Sequence, residues 1–190
     1  MKRALDIIMS LGAILILSPI FLAVAAAVLI WDGTPVIYKQ KRIGKDAELF
    51  TIYKFRTMKN GTRIAATNEL KESVDQITVC GKILRKTSLD ELPQLVNILK
   101  GDMSFVGPRP LIPEEDDIHK LRLEQGVYAV RPGLTGLAQI NGRDKVSIEE
   151  KVRLDKEYVK NQSLATDIKI FLKTFINVFK MSDVVEGGHE

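Results

Sequence analysis

The chain has 190 residues, 28 basic and 24 acidic side chains, and a formal net charge of +4, with 45% hydrophobic residues. That length suits one modest domain able to bury a core, and the mild basic excess fits an anionic lipid or phosphate partner. Cys80 is the single cysteine and the two histidines, His119 and His189, lie far apart, so an intrachain disulfide and a Cys/His zinc cluster are both excluded.

A reducing compartment fits the cysteine usage, and any metal would be a hard, oxygen-liganded one. Residues 7–31, IIMSLGAILILSPIFLAVAAAVLIW, carry no charge. As one straight helix they would run roughly 37 Å, enough to cross a hydrocarbon core of about 30 Å. A signal peptide is disfavoured, because the apolar run continues past AVAAA to Trp31. A single span would set Lys2 and Arg3 against Lys39, Lys41, Arg42 and Lys45, and the positive-inside rule draws both flanks to the cytoplasm. Ser18 and Pro19 offer a way out. A break there leaves two arms of about twelve residues, roughly 18 Å each, too short to span. Such a helix enters one leaflet and returns, with backbone groups freed by Pro19 satisfied by the Ser18 hydroxyl or by local adjustment. A kinked ordinary span is the alternative, and the residue pattern alone does not choose between the two.

Beyond Trp31, TPVIYKQKRIG and AELFTIYKFRTM read as two strands around a GKDA turn. KNGTRIAATNELKESVDQ reads as a polar loop with a short helix, and ITVCGKILRKTS leads to SLDELPQL at 88–95. Pro93 lacks an N–H, so it is tolerated only in the first turn of a helix capped at Asp90 or later. The expected helix therefore starts with Asp90 and Glu91 and runs to about Lys100. GDMSFVGPRPLIP reads as an apolar piece and a stiff loop, 114–125 as a helix stopped by Gly126, and VRPGLTGLAQINGR as a glycine-rich connection. Ser147 and Glu150 form a capping box for a helix to about Lys160. In the final helix, about 166–181, Lys169, Lys173 and Lys180 share one face and phenylalanines and aliphatics cover the rest, which suits a membrane interface as well as a core.

Arg109 lies between two prolines and Arg131 precedes Pro132, so both project from pre-ordered backbone. Arg85 lies just upstream of the acidic pair, and Lys54 and Arg56 alternate on one face of the second strand. Guanidinium forks match phosphate oxygens, and together these residues point to an anionic substrate. No Walker loop or GxGxxG occurs. A carboxylate at a helix start is expected to stay ionised, so Asp90 could be a nucleophile forming an acyl phosphate, and Glu91 could hold Mg²⁺. Taken alone, the pair reads first as a helix cap.

The stretches KRALDIIMSLGAILILSP, YKFRTM, LRKTSLDELPQLVNILKGDMSFVGPRP and RPGLTGLAQINGR together resemble the bacterial sugar transferases, monotopic phosphoglycosyl transferases acting on polyprenol phosphate. The resemblance covers about residues 2–180. It implies a mixed α/β fold: a re-entrant membrane helix over 1–31, broken at Ser18-Pro19, and a cytosolic catalytic domain over 32–190 with a short β-hairpin and interfacial amphipathic helices. It implies transfer of a sugar 1-phosphate from a nucleotide sugar, usually a UDP-sugar, to undecaprenyl phosphate with release of UMP, at the cytosolic face of the bacterial inner membrane. Asp90 is then the nucleophile and Glu91 the Mg²⁺ residue. Lys54, Arg109 and Arg143 match family positions, alongside Arg56, Arg85 and Arg131 as basic substrate contacts. The implied partners are the UDP-sugar, undecaprenyl phosphate and inner-membrane lipid, with a homodimer left open and no nucleic acid. One departure is Gln76, where members often carry arginine; the chain also matches the minimal form, without a multi-span extension. A membrane-anchored scaffold without chemistry is the alternative, against which the intact acidic pair argues.

Overall fold

Two helices, α1 (Lys2–Ile16) and α2 (Ser18–Asp32), meet at Leu17 with a bend of 62°. The cause lies in the sequence. Pro19 has no N–H for the carbonyl of Leu15, and the Ser18 hydroxyl donates to that same carbonyl at 2.8 Å. The break thus falls at the expected Ser18-Pro19 position, with its freed acceptor satisfied. Among the residues that the computed structural model describes (1–62, 76–142 and 146–180, the last three as backbone only), no single helix is long and apolar enough to cross a membrane, whereas the bent pair together is.

Both ends of this pair are fastened to the rest of the fold. Lys2 bonds to the Val106 carbonyl and to Asp167, and Arg3 donates to the Ile98 and Leu99 carbonyls at 2.6 and 2.8 Å. Buried Asp6 accepts from the Ser104 hydroxyl and the Phe105 N–H. At the far end, the Asp32 carboxylate accepts from the Thr78 hydroxyl at 2.8 Å. Between these anchors Leu15, Ile16, Leu22, Ile30 and Trp31 are exposed.

The expected hairpin is present as β1 (Ile37–Ile43) and β2 (Leu49–Phe55), antiparallel, with Tyr38 opposite Lys54, Gln40 opposite Ile52 and Arg42 opposite Phe50. Helix α3 (Val79–Thr87) is capped by Thr78, whose hydroxyl accepts from the Gly81 N–H. Helix α4 (Gln94–Lys100) packs on α1 and β2. The supposed glycine-rich connection is more structured than its composition suggests. It holds β4 (Gly133–Thr135), parallel to β3 (Ser104–Val106), and the short α6 (Leu137–Ile140). A Cβ on Gly133 would lie 2.1 Å from the Gly107 nitrogen, so this backbone approach requires glycine, and glycine here marks proximity rather than a loop.

Helices α5 (Asp116–Glu124) and α7 (Ile148–Lys160) fall where expected; Ser147 caps α7, although the Glu150 carboxylate turns to Arg153 instead of closing the box. Helix α8 (Leu164–Lys180) buries Asp167 and Ile170 against the core of Ile52, Leu95, Ile98, Met103, Phe105 and Tyr158. Its other face exposes Ile168, Leu172, Phe175 and Ile176. The architecture is a small mixed α/β unit of eight described helices, the hairpin and a two-stranded parallel ladder.

Candidate active site

The acidic pair sits between α3 and α4. Ser88, ending α3, adopts a left-handed conformation (φ 57), an unusual state for a residue with a Cβ, and turns the chain into a tight 3-10 turn over Leu89–Glu91. Pro93 then caps α4 with helical angles. The helix end at Lys100 agrees with expectation, but its start lies later, and neither Asp90 nor Glu91 caps α4 by a side-chain bond. The pair is displayed by a separate turn.

Asp90 is 7% exposed. Lys54, reaching from β2, lies 2.7 Å from Glu91 Oε1 and 4.0 Å from Asp90 Oδ2. Arg109 lies 3.8 Å from the same Glu91 oxygen, and Arg85 donates through Nε to the Thr57 hydroxyl at 3.0 Å. Burial pushes the Asp90 carboxyl up to about 6; the Lys54 ammonium pulls hardest against that rise, Glu91 adds to it, and Arg85 and Arg109 oppose it. The expected ionisation at neutral pH thus stands, but its expected cause, a helix start, does not, because the pair lies on a separate turn and burial raises the carboxyl. Desolvation outweighs the cations, and Asp90 is ionised at neutral pH without being stabilised there.

The fold therefore gathers Lys54, Arg85, Asp90, Glu91 and Arg109. Arg56 is not among them. It follows the last residue of β2, so strand alternation no longer directs it, and its buried guanidinium bonds to the carbonyls of Asp32, Gly33 and Thr34 and to Asn60. It locks the exit of α2. Arg131 donates to the Gly101 carbonyl at 2.7 Å, beyond the far end of α4 from the acidic pair. Arg143 lies outside the described residues, as does most of the polar stretch before Gln76, an exposed residue whose carbonyl accepts from the Lys59 N–H.

The loop carrying Arg109 is held from behind. Arg122 on α5 donates to the Arg109 carbonyl at 2.8 Å and pairs with Asp155 of α7 at 2.6 Å, both partners almost fully buried. His119 Nε2 donates to the Ile112 carbonyl at 2.7 Å, which leaves Nδ1 to accept from the Tyr128 hydroxyl. Sequence reasoning missed Arg122, because a charge on a short amphipathic helix reads as surface. It also missed Arg42, which lines a shallow pocket with Ile52, Lys54, Glu91, Gln94, Arg109, Pro110 and Gly133.

Such a site, a desolvated carboxylate beside a second one and ringed by cations, can bind a phosphate ester and attack it. Comparison with known proteins agrees with that chemistry. The model of the bacterial sugar transferase family matches residues 1–181. The exopolysaccharide production protein ExoY of Sinorhizobium fredii is 41% identical over 189 residues, covering 91% of this chain and 83% of the relative. The sugar transferase EpsL of Bacillus subtilis is 40% identical over 189 residues, covering 100% and 92%. The UDP-glucose:undecaprenyl-phosphate glucose-1-phosphate transferase of Escherichia coli is 38% identical over 187 residues, which cover 95% of this chain and 40% of that longer protein. With the match running almost end to end and identity near these values throughout, the chain belongs to the bacterial sugar transferase family.

Proposed function

We propose that the protein transfers a sugar 1-phosphate from a UDP-sugar to undecaprenyl phosphate, releasing UMP through a covalent intermediate on Asp90. The observation that carries this reading is the buried Asp90 carboxylate, held among Lys54, Arg85 and Arg109 and pushed up to about 6 by desolvation. Such a carboxylate is ionised at pH 7 yet poorly solvated, which favours attack on phosphorus. The donor and acceptor are those in the name of the Escherichia coli relative.

In the first step an Asp90 oxygen attacks the β-phosphorus, the bond to the bridging oxygen breaks, and that oxygen leaves on UMP. In the second, a phosphate oxygen of undecaprenyl phosphate attacks the same phosphorus and frees the Asp90 carboxylate. Lys54, Arg85 and Arg109 steady negative charge as it moves from the carboxylate to the leaving phosphate. Glu91 positions Lys54 through their 2.7 Å contact.

The donor set also fits Mg²⁺, which binds through one or two carboxylates plus substrate phosphates rather than a full protein cage. Asp90 and Glu91 supply two adjacent carboxylates, and the described residues contain no cluster of three or more acidic, Cys or His ligands. We assign Glu91 as the principal holder; the bound ion would neutralise part of the diphosphate charge.

The anchors support a re-entrant membrane seat. Lys2, Arg3 and Asp6 at one end of the α1–α2 pair, and Asp32 at the other, bind the same domain, so both ends lie on one side of the bilayer in this reading. The pair is re-entrant, and the exposed apolar face of α8 rests in the interface at the cytosolic side of the inner membrane.

Incubation with a UDP-sugar alone should release UMP and leave an adduct of one sugar phosphate on the peptide containing Asp90. Wild-type protein that releases no UMP and carries no adduct would leave a membrane-anchored scaffold as the better reading.

A further inference from the structure

Arg42 faces inward. On the antiparallel hairpin, opposed residues share a face, so Tyr38, Gln40 and Arg42 lie on the side of Phe50, Ile52 and Lys54. Ile52 is 3% exposed and belongs to the core. An arginine on the core-facing side of a strand is desolvated at a cost, and a carboxylate partner would normally offset it. Arg42 has a different set of contacts. Its Nη2 donates to the Gln40 side chain at 2.6 Å, Nη1 makes a long contact of 3.4 Å with the Pro110 carbonyl, and the buried Nε has no hydrogen-bond partner.

Its electrostatic surroundings are equally unusual. Burial pushes the guanidinium down to about 10, and the like charge of Arg109 adds to the shift, against weaker support from Glu115, Tyr38 and Glu91. Two guanidinium groups thus line one pocket together with Lys54 and Glu91, and Lys54 lies 4.0 Å from Asp90 Oδ2. Arg109 lies 3.8 Å from the Glu91 oxygen that Lys54 meets at 2.7 Å, and all three line that pocket with Arg42. Two guanidinium groups held close together attract an anion with more than one free oxygen, such as a phosphate, which can accept from both forks.

Resting on the reaction proposed above, we infer that Arg42 is a donor-binding residue which, with Arg109, grips the phosphate that departs on UMP. The attacked phosphorus must lie against Asp90, beside Lys54 and Arg85. The next phosphate along the diphosphate then falls toward the Arg109 side, where Arg42 completes the grip. A phosphate there would bring two negative oxygens to a pair of cations that otherwise repel each other.

The test compares UMP with uridine, which lacks the phosphate, on the full chain in detergent or nanodiscs. Arg42→Gln should weaken UMP binding about 10- to 100-fold, the range for losing hydrogen bonds to a charged group, while uridine binding and the KM for undecaprenyl phosphate stay within about twofold. Arg42→Lys, which keeps the charge but not the fork, should fall between, and it decides the matter if the Gln variant does not fold. Unchanged UMP binding, equal losses for UMP and uridine, or a shift confined to the acceptor KM would overturn the assignment. Wild-type protein that neither binds UMP nor releases it would refute the transfer reaction itself, and the role of Arg42 with it.

Discussion

Replacing Asp90 by Asn separates chemistry from structure. The carboxyl moves from an ordinary value of 3.8 to about 6, chiefly through burial. That difference corresponds to about 3 kcal/mol of folding stability withheld by the ionised group at neutral pH. Well below pH 4 the carboxyl is protonated in both folded and unfolded chains, and Asp90 carries no ionisation penalty. As pH rises from 4 to 6 the unfolded chain ionises first, stability falls, and the loss is complete once the folded group has also ionised. An amide at this position does not titrate and escapes the loss. Asp90→Asn should therefore exceed wild type by only about 1 kcal/mol near pH 4.5 and by up to about 3 kcal/mol at pH 8. The larger gap is roughly 6 to 12 °C in Tm for a chain of this size. The measurement is thermal unfolding across pH in a chelator, so that no bound cation compensates the charge. UMP release and the covalent adduct should be lost in the same variant. A gain in stability with loss of turnover marks a group kept for reaction against the interest of folding. An Asn variant that is less stable than wild type at pH 8, or that still turns over, would refute the argument.

Three further perturbations probe the supporting structure. Lys54→Met removes the strongest influence holding Asp90 down; the acidic limb of the kcat/KM profile should move above pH 6, and activity at pH 7 should fall at least about 10-fold. Arg122→Met strands buried Asp155 and should cost about 3 to 5 kcal/mol in denaturant unfolding, whereas Arg122→Met with Asp155→Leu should recover most of the stability but not the activity, because the Arg109 carbonyl has lost its donor. Cysteines placed at Ala4 and Lys45 should label only from the cytosolic side, in wild type and in Pro19→Ala alike, because the end anchors outlast the loss of the proline; labelling from outside at either position would refute the re-entrant reading.

What could be read from the sequence was local or tied to a special residue. The break at Ser18-Pro19, the hairpin around the GKDA turn, the Ser147 cap and the Lys100 end of α4 all depend on neighbours within one turn of chain. Ladder β3–β4 escaped because parallel pairing joins distant segments, and three-residue strands show too little alternation to detect. The site divided in the same way. Asp90, Glu91, Lys54, Arg85 and Arg109 were legible from motif chemistry. Arg56 and Arg131 carry the same residue type in similarly stiff surroundings, yet they hold backbone carbonyls, and only tertiary placement distinguishes the two uses. Arg42 needed the hairpin register. Among alternating basic residues in YKQKRIG, the pairing with Phe50 decides which of them turns inward.

In the proposed reaction, the same tertiary links would bring a membrane-bound acceptor to Asp90. Each arm of the bent pair has 15 residues, about 22 Å of helix, which reaches part way into a bilayer core of about 30 Å. Arg3 ties the base of α1 to the last carbonyls of α4, and α4 is only seven residues, about 10 Å, long. Its other end follows directly from the turn that displays Asp90 and Glu91. The distance from α1 to the Asp90 carboxylate is thus set by one short helix clamped near its C-terminal end. On the opposite flank, Arg56 and Thr78 tie the exit of α2 to β2 and α3, the elements that carry Lys54 and Arg85. Acid and cations are therefore each referenced to the bent helix pair through their own anchor. With the re-entrant seat proposed above, an acceptor phosphate at the interface would meet an array whose height above the lipid is fixed by a few buried bonds, the pre-organisation that transfer between a soluble donor and a lipid requires.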